Sequence, residues 1–255
     1  MSFACYRRED EIGVITLNRP ERLNAIGGAL LADFSAALQA GFADEDAAVL
    51  VLTGAGRAFC AGDDLKEFDQ QSASEAAIRA HIGAIQRITR LMLGCEKLIL
   101  GAVHGYAVGG GFEWMLNCDL VVAADDLVAF FPEMDLGQFV TGGVTHLLPQ
   151  ALGYQRAMEL LVLGERQDAA RLERLNLVNR VVPRDELAVK AMELARSAAK
   201  KSRFSVGRLK ALLNQELGRP LWHAVEQEEA ITIETFSRPG AAKRVGRFAE
   251  RKSRG

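Results

Sequence analysis

The sequence predicts an α/β fold with a helical C-terminal third, on three observations. Five short β-branched or apolar runs are spread between Ile12 and Val182, helically spaced segments lie between them, and beyond Pro183 only the helical spacing continues. With 255 residues and 49% hydrophobic content the chain can bury a large core. The expected organisation is a core over residues 1–190 and a helical region over 191–255.

The runs "IGVITL" (Ile12 to Leu17), "AVLVLT" (Ala48 to Thr53), "LILGAVH" (Leu98 to His104), "DLVVAA" (Asp119 to Ala124) and "LVNRVV" (Leu177 to Val182) read as buried strands. Each is short and mostly apolar, the pattern of a buried strand. Between Glu75 and Leu93 the residues Ile78, Ile82, Ile85, Ile88 and Met92 recur at spacings of three and four, which aligns them on one face of a helix. After Pro183 the segments "RDELAVKAMELARSAAKKS", "SVGRLKALLNQEL" and "PLWHAVEQEEAITIETF" all carry helix-period apolar residues.

Thirty-one Lys and Arg against thirty-three Asp and Glu leave the chain near neutrality, so no global field draws it to nucleic acid or to an anionic membrane. From Arg238 onward the sequence is locally basic, a pattern that suits a solvated helix end, a phosphate-bearing ligand or a neighbouring subunit. Cys5, Cys60, Cys95 and Cys118 are scattered without a C-x-x-C pair and read as buried free thiols, with neither a metal site nor a disulfide framework. The N-terminus lacks a basic start with a long apolar run, and no run approaches the roughly 20 residues that span a bilayer. The expected setting is cytoplasmic.

Several motifs fail. "GAGRAF" after the second strand starts like a dinucleotide fingerprint, but Phe59 occupies the third small position. There is no G-x-S-x-G elbow for an oxyanion loop at His104 to serve, so His104 reads as a structural histidine at a strand end. Three other stretches hold together in order and spacing: "RAFCAGDDLKEF" (Arg57 to Phe68), "HGYAVGGGFEW" (His104 to Trp114) and "FFPEMDLGQFVTGG" (Phe130 to Gly143). In the second, three glycines precede an aromatic residue and a glutamate. Glu113 follows Gly110 by three residues, nearly one helical turn, so both can face one cavity.

With these stretches, and with "LNRPERLNAI" and "ALGYQRAMELLVLGE" on either side, the sequence resembles the crotonase superfamily of enoyl-CoA hydratases and isomerases over nearly its whole length. The resemblance implies a spiral of ββα units followed by a helical C-terminal region that assembles trimers or dimers of trimers. It implies an oxyanion hole made by the backbone N–H groups of Ala61 and Gly110, and a catalytic pair in which Glu113 activates water and Glu133 serves the Cα proton. It places an acyl-CoA substrate along Arg22, Leu23, Ala61, Gly62, Asp63, Asp64 and Gly110; basic residues such as Lys66 and the C-terminal arginines suit contact with its phosphates or solvation at the surface equally well. CoA enters as part of the substrate, with no permanently bound cofactor and no metal. The chain departs from the family pattern at Thr141, where many hydratases carry glycine, and at Trp114, a bulky residue beside Glu113. Retention of both glutamates favours hydration. The alternatives are double-bond isomerisation, another acyl-CoA lyase or hydrolase reaction, or a non-catalytic RNA- or protein-binding descendant supported by the basic tail alone.

Overall fold

The computed structural model describes residues 2–216, 218–238 and 240–252. Among them the strands are β1 (Ala4–Glu9), β2 (Ile12–Leu17), β3 (Val49–Gly54), β4 (Leu98–Val103), β5 (Tyr106–Val108), β6 (Leu120–Ala124), β7 (Val128–Phe130), β8 (Gln167–Asp168) and β9 (Arg180–Val182). The helices are α1 (Gly28–Ala43), α2 (Phe68–Gln71), α3 (Glu75–Gly94), α4 (Gly110–Leu116), α5 (Glu133–Leu136) and α6 (Val144–Leu152). They continue with α7 (Tyr154–Met158), α8 (Ala169–Arg174), α9 (Leu187–Ala199), α10 (Arg203–Glu216), α11 (Gly218–Ser237) and α12 (Ala241–Lys252).

The larger sheet has the order β1-β2-β3-β4-β6-β9. Only β1 runs antiparallel to its neighbour, and the remaining pairs are parallel. The apolar character of β2 and β3 has a direct cause, since alternate side chains enter two different cores. Ile15, Leu17, Leu50 and Leu52 join the core that includes α1 and α3, whereas Ile12, Val14, Val49 and Val51 join the one beneath α9. The smaller sheet, β5-β7-β8, leaves the end of β4 and leads into the functional region.

Four of the five expected strands occur within one residue of their predicted limits at each end. The fifth begins at Arg180 and not at Leu177. The Leu177 N–H closes the end of α8 on the Leu172 carbonyl, and the Leu177 and Val178 side chains turn into the core. Strands β5, β7 and β8 are too short to show a period, and β1 is an edge strand whose charged residues hide its pattern. One thiol corrects the sequence reading: Cys60 is buried and Cys95 and Cys118 are half-buried, but Cys5 is exposed on β1.

Among the described residues no strand follows Val182. Residue 190 falls inside α9, whose Leu187, Ala191 and Ala195 cover the sheet, so this first C-terminal helix packs as part of the core. Helix α11 lies against α3 and α6, and α12 lies against α5. In α12 the buried positions are Ala241 and Val245, while Lys243, Arg244 and Arg247 face outward. Residues 239 and 253–255 of the basic tail lie outside the described residues. No described helix is long and apolar enough to cross a membrane.

Trp114 of α4 is fully buried, edge-on to Phe34 of α1 at 4.9 Å between ring centroids. Its bulk fills the core and not the cleft described below. Trp114→Ala should therefore lower stability by about 3–5 kcal/mol, the usual cost of removing a large buried aromatic, as read by denaturant unfolding.

Candidate active site

The glycine triplet stands where β5 meets α4, and each glycine answers to a different neighbour. Gly109 has φ of 51°, a left-handed conformation that side chains rarely adopt, and a Cβ there would meet Oε1 of Glu133. A Cβ on Gly110 would lie 2.7 Å from Cδ1 of Ile26, and one on Gly111 would lie 2.7 Å from the Cβ of Cys60. The triplet therefore lets three chain segments converge.

One of these segments is the stretch from Phe59 to Asp64. Phe59 N–H donates to the His104 carbonyl at 2.9 Å, Cys60 N–H to Tyr106 at 2.9 Å, and Val108 N–H to Cys60 at 3.0 Å. On the other side, Ile26 N–H donates to the Gly62 carbonyl at 2.8 Å and Asp64 N–H to the Ile26 carbonyl at 2.9 Å. His104 is buried and its Nε2 donates to the Gly56 carbonyl at 3.2 Å, a structural role.

This pairing decides which backbone donors remain free. The Ala61 N–H donates to the Leu23 carbonyl at 3.0 Å, so the donor expected from Ala61 is already engaged. Two residues on, the Asp63 N–H has no acceptor among the described residues, and Asp63 lines the cleft. Gly110 is the first residue of α4, where an N–H has no partner within the helix, and it lines the same cleft. The available pair is thus Asp63 with Gly110.

Glu113 and Glu133 both line this cleft as well. Glu113 is buried in the first turn of α4 and accepts from the Thr141 N–H at 2.7 Å on Oε1 and from the Thr141 hydroxyl on Oε2. Burial pushes its carboxyl up to about 7, against the pull of the two Thr141 bonds, and Asp63 adds to the rise. Glu133 opens α5 and has no side-chain partner for Oε2. Burial, then the neighbouring Glu113 charge, hold it well above the ordinary carboxylate range. Two close carboxyls with unequal hydrogen bonding separate into one that ionises and one that keeps its proton.

The cleft encloses about 810 Å³, part of it open to solvent. Its walls are apolar, with Ile82 and Ile85 from α3, Phe68, Phe139, and Phe236 and Phe248 from the two last described helices. Ala61, Gly62, Asp63, Gly110, Glu113 and Glu133 converge here, whereas Arg22, Leu23 and Asp64 stand outside the lining. Arg22 closes a short 3-10 turn, Leu23 follows it, and Asp64 forms an ion pair with Arg19 at 3.0 Å. The Asp63 carboxylate meets Nε2 of buried His81 at 3.0 Å. Burial lowers the proton affinity of that imidazole, but Asp63 and Glu67 outweigh it and the net shift is upward. Among the described residues no group of three or more His, Cys, Asp and Glu could hold a metal ion. Sequence reasoning missed the holding of Glu113 by Thr141, and it missed the aromatic wall from α11 and α12.

Two spare backbone donors and two unequal carboxyls lining one apolar cleft define a class: enzymes that stabilise an oxyanion while moving protons beside it. The chain belongs to the enoyl-CoA hydratase/isomerase family, whose model matches residues 7–254. A probable mitochondrial enoyl-CoA hydratase of Dictyostelium discoideum is 30% identical over 246 residues, covering 96% of this chain and 87% of that protein. A mevalonyl-coenzyme A hydratase of Aspergillus fumigatus is 38% identical over 194 residues, 76% of this chain and 71% of its own. The crystal structure of an enoyl-CoA hydratase/isomerase from Xanthobacter autotrophicus superposes with a TM-score of 0.90 at 31% identity, covering 98% of this chain and 93% of that one. The fold is the crotonase spiral.

The raised carboxyl of Glu113 has a consequence for stability. An acid that binds its proton more tightly when folded stabilises the fold below its unfolded pKa, and that contribution is lost as pH rises through the folded value. For Glu113 the window runs from the ordinary value of 4.5 to about 7. The melting temperature of Glu113→Gln minus that of the unmodified protein should therefore rise between pH 5 and pH 8, levelling above about 7. A pH-independent difference would place the Glu113 carboxyl at its ordinary value.

Proposed function

We propose that this protein hydrates trans-2-enoyl-CoA thioesters. One observation carries the reading: the two glutamates of the cleft are unequally held, Glu113 by two donors from Thr141 and Glu133 by none on Oε2. That difference suits an ionised base beside a protonated acid.

In this mechanism the thioester oxygen lies between the N–H groups of Asp63 and Gly110. Glu113 takes a proton from water as the oxygen bonds to Cβ, and the alkene electrons move through the thioester carbonyl onto its oxygen. Backbone donors aimed at such developing charge are worth about 3 kcal/mol each. As the enolate collapses, Glu133 delivers its proton to Cα. Glu113 is left protonated and Glu133 ionised, and one proton transfer between them restores the site. The CoA portion runs past Ala61 and Gly62 toward Arg22, Leu23 and Asp64, with exposed Lys66 toward the phosphates. The free thioester arrives and leaves without a permanent cofactor.

The reading is tested by substituting each carboxylate. Glu113→Gln and Glu133→Gln should each lower hydration of crotonyl-CoA by roughly 10²- to 10⁴-fold, and the double variant should lose far less than the product. Exchange of the Cα proton of butyryl-CoA into deuterated solvent needs Glu133 and the donors but no added water, so it should survive better in Glu113→Gln. Full hydration in both single variants would dismiss the paired mechanism. Double-bond migration faster than hydration, dependent on Glu133 alone, would make the enzyme an isomerase.

Self-association into a trimer or a dimer of trimers belongs to the same proposal. It is supported by the exposed apolar residues Phe204, Leu209, Leu212 and Leu213 of α10, which leave an apolar surface facing out. Sedimentation at micromolar concentration should give a multiple of three chains, and a stable monomer would refute it. A cytoplasmic setting is likewise part of the proposal, to be checked by fractionation.

A further inference from the structure

Glu228 of α11 is a buried carboxylate that the mechanism above does not use, with 1% of its surface exposed. Its acceptors are fully engaged from one direction. Oε2 takes the Gly143 N–H at 2.7 Å, and Oε1 takes the Thr145 N–H at 2.8 Å and the Thr145 hydroxyl at 2.6 Å. These donors are the opening of α6, whose N-cap residue Gly143 has no side chain to cap it. A carboxylate from another helix supplies the missing acceptor and sits where the helix partial charge favours an anion.

The residues immediately before this cap are the ones that hold Glu113. Thr141 donates twice to Glu113, the Gly142 N–H meets Oε1 of Gln86 at 3.3 Å, and the Gly142 carbonyl accepts from Asn117 Nδ2 at 2.8 Å. The segment from Thr141 to Thr145 is thus fixed by α3, α4 and α11 together. Gln86 and Asn117 hold it with neutral amides. Glu228 holds it by accepting three of its donors on one carboxyl group. Burial raises the Glu228 carboxyl to about 8, against the pull of Thr145 and Gly143 and with a further push from Glu113.

We propose that Glu228 is a positioning residue for Glu113, fixing the Thr141–Thr145 segment so that both Thr141 donors stay on the carboxylate assigned to water activation. This assignment rests on the hydratase reading for its catalytic meaning, but the coupling between Glu228 and Glu113 is physical and is read without turnover. Two effects of removing Glu228 have opposite signs. Where Glu228 is ionised, loss of its negative charge lowers the proton affinity of Glu113, whereas loosening of the Thr141 bonds raises it at any pH.

The experiment is a ¹³C-detected titration of Glu113 in the unliganded protein, comparing the unmodified chain with Glu228→Ala, Glu228→Gln and Thr141→Val. In Glu228→Gln the amide oxygen keeps Thr145 and the NH₂ group opposes the Gly143 N–H, so the end nearest Thr141 is released while side-chain volume is kept. That variant carries the test if Glu228→Ala, which leaves three buried donors unpaired, does not fold. The Glu113 midpoint should move upward in the Glu228 variants, in the direction of Thr141→Val. With crotonyl-CoA, kcat should fall roughly 10- to 100-fold with KM within about twofold, and butyryl-CoA proton exchange should change by less than about threefold. A downward or absent shift would overturn the proposal, as would equal loss of hydration and exchange. An upward shift in a protein that hydrates no enoyl-CoA would uphold the coupling and reject the hydratase reading instead.

Discussion

Three backbone hydrogen bonds join the stretch at Phe59 and Cys60 to the stretch from His104 to Val108, and the site depends on them. They bring the end of one chain crossing beside the start of α4. Once Cys60 is paired with β5 and Ala61 with Leu23, the N–H of Asp63 is left without an acceptor among the described residues, and Asp63 lines the cleft together with Gly110. Neither donor belongs to a side chain, so neither can rotate out of place. The rigidity of the site is thus the rigidity of the two sheets and the seam between them, and side-chain chemistry is added to it.

What is added is an electrostatic imbalance. Two buried carboxyls share an apolar cleft, and burial there disfavours two charges at once. Thr141 breaks the tie by giving both of its donors to Glu113. The sequence reading registered Thr141 only as a departure from the glycine found in many hydratases, yet the threonine supplies what a glycine cannot, a hydroxyl as well as an N–H. The nearby Asp63 carboxylate raises both glutamates, and its charge is shared with His81 on α3.

Much of this was legible in the residues. The buried strands announced themselves because both faces of the sheet are covered, which turns alternation into continuous apolar runs. Gly110, Glu113 and Glu133 stood in motifs whose spacing reflects one helical turn and one helix start. The spare backbone donor lies at Asp63 and not at Ala61 because every residue carries the same N–H, and only the pairing of its neighbours decides which one is left over. Glu228 showed only as one more acid in a helical segment, since its partners lie far away in sequence at Gly143 and Thr145. Phe236 and Phe248 were hidden for the same reason, as nothing local marks a helix residue as the wall of a distant cleft.

The aromatic wall has a consequence for the order in which the molecule is made. The two carboxyls and the spare donors lie between Asp63 and Glu133, yet the cleft around them is also walled by Val245 and Phe248 of α12. A chain emerging from a ribosome thus carries both glutamates and both donors well before the residues that shield them from water. During that interval the carboxyls are solvated, the proton affinities that separate acid from base have not developed, and the apolar sides of α3 and α5 stand uncovered. What the end of the chain supplies is thus part of the apolar wall of the cleft, and not its carboxyls or its spare donors.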